Sequence, residues 1–344
     1  PQITNHKVKA KSKISRGTMK LPGLICVLAA ANLLLVEGFE NASGFKLNHA
    51  AHARHPVYEE SPEFIRWKYR NEPLPAEINF VESGYVSPVK DQGMCKASWA
   101  IAATGVLEGA YAKATGRKGK AIQQFSEQMI ISCANQVNSP DPESNWDSLG
   151  CQGGSPVVAM EFTKEQGWNC FTRSLGFQSA DGQAGICRLD QFVSMLKYIS
   201  WRKYCSEFQF KKDMAMGGTR FNNLSIYKGP GLVNSTRLKQ MLVVLGPVAV
   251  AIDGSRLFYY DPSKGHFSDC SSSEDALSYV LLLVGYGTDS FGDYWLLKAS
   301  YGETFGIDGY VKLPRGTDRN GNDLNSCGLL HHPFGMSVDA YTES

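Results

Sequence analysis

The segment from Gln92 to Gly116 constrains this chain more than any other. Gln92-Gly93-Met94-Cys95-Lys96-Ala97-Ser98-Trp99-Ala100 runs without a break into residues 101–116, whose small and apolar side chains have the pattern of a buried helix. Ile101, Leu107 and the Ala110-Tyr111 pair fall near one face, Glu108 and Lys113 are expected to point outward, and Gly116 suits a left-handed stop. Ser98 is thereby placed at the helix N-terminus. Unpaired N–H groups and the positive dipole end favour a developing negative charge there, so a nucleophile benefits from that position.

With 344 residues, 43% hydrophobic and 11% aromatic, the chain can bury a sizeable core, and its length suits two subdomains. A net charge of +2 creates no field that argues for nucleic acid or an anionic membrane as a partner. Met19-Lys20, the apolar residues 21–36 and the small residues near Gly38 read as a secretory signal over 19–38. Pro22 and Asn32 interrupt the run, which is shorter than the ~20 residues of a membrane span. Residues 1–18 then form a leader before the start Met, 39–73 a short polar prosegment or linker with one helix over 61–69, and 74–344 the folded domain. A secreted or lumenal protein follows, with no membrane attachment once the signal is removed. Cysteine usage agrees, since Cys26 leaves with the signal and an even number remains for an oxidising compartment. Spacing alone leaves about a hundred pairings open. Sequons at Asn41, Asn223 and Asn234 fit the same route.

Several ordered motifs follow one another along the chain: Gly84-Tyr85-Val86-Ser87-Pro88-Val89-Lys90-Asp91-Gln92-Gly93, then Cys95-Lys96-Ala97-Ser98-Trp99, Phe125-Ser126-Glu127-Gln128 and Gly150-Cys151-Gln152-Gly153-Gly154. Val284-Gly285-Tyr286-Gly287 and Tyr294-Trp295-Leu296-Leu297-Lys298-Ala299-Ser300-Tyr301-Gly302 complete the set. Together they resemble the papain-like cysteine peptidases of the cathepsin L-like type over residues 74–338. The resemblance implies an α+β fold with a helical half over about 95–215 and a β-barrel half over about 216–338 plus 74–94, facing each other across a cleft. Residues 156–167, begun by Ser155-Pro156, and 234–246 read as helices; 279–284, 293–299 and 309–313 read as strands. The chain departs from the pattern in three places. Residues 39–73 lack the family's spaced Glu-Arg-Phe-Asn pattern, Asn79-Phe80 replaces Asp-Trp, and 188–229 is an insertion in which Phe192, Met195, Leu196, Ile199 and Trp201 suggest a helix.

The resemblance also locates the family's catalytic positions. Its nucleophilic Cys falls on Ser98, its His on Tyr279, its orienting Asn on Ala299 and its oxyanion-hole Gln on Gln92. Tyr279 has a reference pKa near 10 and is a poor base at neutral pH, while Ala299 offers no hydrogen bond. No functional catalytic group is therefore expected. Gly153 and Gly154 match the segment that pairs with extended peptides, Tyr301 stands where a Trp shields the His–Asn pair, and His332 lies next to the main specificity pocket. These four are the expected cleft residues for a peptide or protein ligand. The family bridges imply Cys95–Cys151, Cys133–Cys187 and Cys270–Cys327. Cys170 and Cys205 are left over, and a bridge between them would tie the insertion to the helical half.

His331-His332 and the prosegment His49, His52 and His55 lack a zinc-ligand spacing. Asp318 to Asp323 resembles a calcium loop with its Gly too early and its terminal Glu absent. Neither metal nor cofactor is expected. The leading expectation is a secreted, catalytically inactive relative that works by binding. One alternative is residual Ser98-dependent hydrolysis; the silicateins share Ser at that position but keep the His and Asn. The other is cysteine-type proteolysis, as the family label suggests, but the nucleophile is missing and Cys95 is taken by its expected bridge.

Overall fold

A helix that is apolar on every side must be covered on every side. In the computed structural model, which describes residues 44–46, 49–134, 148–187, 218–221 and 223–339, that helix is α3, Ser98–Thr115. Every residue from Ser98 to Ala112 is buried. Gly105 and Gly109 explain how the covering layers come so close: a Cβ at Gly105 would stand 2.7 Å from Leu282 Cδ2, and one at Gly109 2.8 Å from Pro247 Cδ. The helix stops at Gly116, in the left-handed conformation.

Ahead of it lie α1, His49–Ala53, and α2, Pro62–Arg70. Ser61 caps α2 by accepting from the Phe64 N–H. The two-residue strand β1, Ile78–Asn79, follows. After α3 come α4, Glu127–Cys133, and α5, Pro156–Gln166, which has Pro at its first turn and a left-handed Gly167 at its end. Strands β2, Trp168–Cys170, and β3, Gly218–Arg220, form a small antiparallel ribbon.

The second half is dominated by a seven-stranded antiparallel sheet. Its strands are β4, Asn223–Lys228; β5, Val248–Ile252; β6, Tyr279–Asp289; β7, Gly292–Lys298; β8, Tyr310–Pro314; and β9, Phe334–Asp339. They run in the order β4-β9-β5-β6-β7-β8, with β1 added to β6. Helix α6, Ser235–Leu245, capped by Asn234, enters this half between β4 and β5.

The two-residue period of the strands separates two cores. Ala249, Ala251, Val280, Leu282 and Val284 join the core of α3, α4 and α5. Val248, Val250, Ile252, Tyr279, Leu281 and Leu283 join the other, with α6. A register shift between Leu283 and Gly285 reverses the parity, and Tyr286 therefore joins the second core.

One expectation is corrected. Glu108 does not point outward; it is 1% exposed and accepts from Lys90 Nζ at 3.3 Å, from the Phe125 N–H at 2.9 Å and from Ser87 Oγ. Lys90 also reaches Glu127 at 2.8 Å, and Lys298 Nζ donates to Ser87 O at 2.7 Å and to Ser87 Oγ at 3.1 Å. A buried charge is retained when it is paired and hydrogen-bonded; here the Glu108 and Glu127 carboxylates share the Lys90 ammonium, and the Lys298 ammonium is bonded to Ser87 beside them.

The bridges Cys95–Cys151, Cys133–Cys187 and Cys270–Cys327 are present, with Cα separations of 4.5, 4.8 and 5.1 Å. Cys170 is disulfide-bonded as well. Its expected partner Cys205, the insertion helix, the leader and signal segments, and Asn41 lie outside the described residues.

Candidate functional site

The first turn of α3 is held by the residues that precede it. The Cys95–Cys151 bridge, the Lys96 N–H to Cys151 O bond at 3.0 Å and the Trp99 indole to Gly150 O bond at 3.2 Å clamp it to the Gly150–Gln152 turn. Ser98 is 1% exposed, and its Oγ accepts from the Val280 N–H at 3.3 Å.

Val280 and Tyr279 are neighbours on β6 and so face opposite sides of the sheet. The Tyr279 ring goes to the second core, stacked on Tyr301 with centroids 4.8 Å apart. Its hydroxyl lies 2.8 Å from Ser300 Oγ, which donates to Gln92 Oε1 at 2.7 Å; the two bonds agree if Tyr279 donates to Ser300. Burial pushes the Tyr279 phenol well above its ordinary range, so it stays protonated. Ala299 is 2% exposed and bonds only through its backbone, which donates to Gly309 O at 2.9 Å. Gln92, Tyr279, Ser300 and Tyr301 thus form one cluster, while Ser98 Oγ bonds the Val280 N–H.

Ser98, Val280, Lys298, Ala299 and Ser300 line one small cavity. Burial brings the Lys298 ammonium down to about 8, against the opposing pull of Glu108. A partly neutral amine near a serine is a chemically interesting pair, but the Lys298 Nζ is turned to Ser87.

The edge of Gly154 is occupied by the chain itself. Gly154 N–H donates to Gly44 O at 3.1 Å and Gly154 O accepts from the Lys46 N–H at 3.0 Å, so residues 44–46 lie parallel to it. The Phe45 N–H reaches Ser278 O at 3.1 Å, and the Phe45 ring is buried in the α3 core. Gly44 crosses so near the first turn that a Cβ there would be 2.9 Å from Ser98 Oγ. Sequence reasoning did not find this segment: three residues of an unpatterned polar stretch carry no signal beyond the Gly itself. Ser300 stands within a quoted motif, but nothing local marks it as the link between Tyr279 and Gln92.

Of the four expected cleft residues, the structure places Gly154 against residues 44–46 and Tyr301 against Tyr279. Gly153 serves the turn, donating to Gly150 O at 3.3 Å. His332 Nε2 lies 2.8 Å from Glu274 Oε1. Residues 318–323 form an ordinary turn in which the Asp318 carboxylate accepts from the Asn320 and Asn322 N–H groups.

Comparison with known proteins agrees with this architecture. The family profile described as papain family cysteine protease matches residues 74–336. A cathepsin L-like peptidase of Aedes aegypti is 29% identical over 87% of this chain and 74% of its own length. Cathepsin L of Sarcophaga peregrina is 30% identical over 74% of this chain, which spans 62% of that relative. Among solved structures, digestive procathepsin L 3 of Tenebrio molitor larval midgut superposes with a TM-score of 0.59 at 25% identity, over 88% of this chain and 78% of its own. On the profile match, the fold and these relatives together, the chain belongs to the papain family of cysteine proteases.

Proposed function

We propose that this family member is secreted and that its cleft binds extended polypeptide without cleaving it. The environment of Ser98 carries the reading. A papain-type mechanism needs a thiolate beside an imidazolium. Here the nucleophile position holds a buried hydroxyl that accepts a backbone N–H, the base position holds a protonated phenol in the opposite core, and the orienting position holds a methyl group. The helix N-terminus supplies about 0.3–1 kcal/mol, up to ~2 in a favourable site. A positioned general base supplies about 10²–10⁴-fold on its own, and that contribution is missing.

Binding is supported by the Gly154 edge, where residues 44–46 already pair as an extended peptide would. Secretion is supported by the disulfides and by the apolar run over 21–36. Among the described residues no helix is long and apolar enough to cross a membrane. Asn223 and Asn234 are both exposed, and Asn234 caps α6 through Oδ1, leaving the other amide atom to carry a glycan.

A fluorogenic peptide assay and a thiol-reactive active-site probe at pH 5–7 test the reading. No turnover and no labelling are expected, and turnover blocked by a cysteine-peptidase inhibitor would overturn it. One observation favours a second reading, residual serine hydrolysis: Ser98 and the depressed Lys298 share a cavity. Labelling of Ser98 by a fluorophosphonate, lost in Lys298→Met, would establish that instead.

A further inference from the structure

The fold brings Glu274 to the His331-His332 pair across more than fifty residues of sequence, and we propose that these three side chains form a Zn²⁺ site. Glu274 opens the short turn Glu274–Ala276, four residues before Ser278. Its Oε1 lies 2.8 Å from His332 Nε2, and its Oε2 lies 3.8 Å from His331 Nδ1. One ligand atom from each residue falls within 4.8 Å of the other two.

The orientation of His331 is the informative detail. Its Nε2 lies 3.2 Å from the Ser272 carbonyl, which can only accept, so the ring donates from Nε2. Its other nitrogen, Nδ1, is thereby turned to the Glu274 carboxylate. A backbone carbonyl that orients a histidine through its second nitrogen is also the usual support of a metal-bound imidazole.

The backbone around the cluster is braced. The Cys270–Cys327 bridge joins the two segments, Asn325 Nδ2 donates to Ser272 O at 3.3 Å, and Asn325 Oδ1 accepts from the Leu330 N–H at 2.9 Å. His332 is held at φ 48°, a conformation rare for a side chain of its size. Tetrahedral zinc with bonds of ~2.0–2.1 Å needs ligand atoms about 3.3 Å apart. Glu274 is 39% exposed and can turn its carboxylate toward either imidazole, while the spacing between the two imidazoles closes by rotation of their own rings.

Two nitrogens and one carboxylate oxygen suit zinc rather than calcium or magnesium, and three protein ligands leave a fourth position for water. His spacing alone could not reveal the site, because the third ligand lies 57 and 58 positions away from the pair.

Titration calorimetry of the full chain without a polyhistidine tag, using ZnCl₂ alone, tests the proposal. One equivalent should bind, and Glu274→Gln, His331→Gln and His332→Gln should each weaken binding at least about tenfold, while His266→Gln leaves it unchanged. Absence of binding at millimolar zinc, or equal binding by the three variants, would overturn the site. Should a variant fail to fold, the unsubstituted protein still decides: zinc should protect His331 and His332 from diethylpyrocarbonate, and equal modification with and without zinc would refute the proposal.

Discussion

If, as we propose, Ser98 stands at a nucleophile's position, exchanging its oxygen for sulfur should by itself restore nothing. A thiol near pKa 8.5 becomes reactive beside an imidazolium, and Tyr279, stacked on Tyr301 in the opposite core, supplies none. We predict that Ser98→Cys alone leaves peptide hydrolysis at background. The triple change Ser98→Cys, Tyr279→His, Ala299→Asn should raise it, because members of such a unit act non-additively. Ordinary cathepsin-like turnover by the single variant would mean that an unrecognised base faces the first turn of α3. Tyr279→Phe probes the same place from the stability side. It removes the hydroxyl from the Tyr279–Ser300–Gln92 chain but keeps the stacked ring, so a loss of about 0.5–1.5 kcal/mol in urea unfolding is expected. A loss beyond ~3 kcal/mol would show that the hydroxyl does more than bond Ser300.

At the scale of elements, α3 was legible in the sequence as a buried helix but its charged residue was not. Periodicity assigns Glu108 to a face; it cannot say that Lys90, Ser87 and Lys298 converge on that face from two other segments. The strands and capped helices were readable because their signals are local: alternation, Ser or Asn caps, left-handed glycines. The paths of residues 44–46 and of Glu274 depend on long-range closure and leave no local trace. Glu108→Ala should cost about 3–5 kcal/mol, because Lys90 is then buried beside Glu127 alone. Leu107→Ala, one position away and 1% exposed, should cost about 2–5 kcal/mol through its cavity. Thermal unfolding of both, with a Glu108→Gln companion that keeps the shape, separates charge from packing. Gly44→Val tests the other hidden element. Its side chain would meet Ser98 Oγ and the Lys96 carbonyl, so the Lys46 and Gly154 amides should exchange hydrogen faster while β6 stays protected. Unchanged exchange would mean that the segment yields without leaving Gly154.

Across the whole molecule the Lys90–Glu108–Glu127–Ser87–Lys298 network joins the strand-rich half to the helical half, and its titration should be visible in global stability. Lys298 is 5% exposed, and burial lowers it from 10.5 to about 8 in the folded chain. Between those values the unfolded chain holds a proton that the folded chain has released, so the unfolded state binds more protons and stability rises with pH. The slope from this one group is at most about 1.4 kcal/mol per pH unit. Lys90 works in the opposite sense: burial alone would lower it, but Glu108 and Glu127 outweigh that and raise it, so its contribution is intact below 10.5 and is lost only above. The window from pH 8 to 10 therefore carries Lys298 together with Lys113, whose ammonium burial also lowers to about 8. Comparing the parent with Lys298→Met removes the titrations they share, and the parent should gain stability relative to the variant through that window. A difference that stays flat from pH 7 to 10 would mean that Lys298 keeps its proton in the folded state, and the amine beside the Ser98 cavity would then be an ordinary cation held by Glu108.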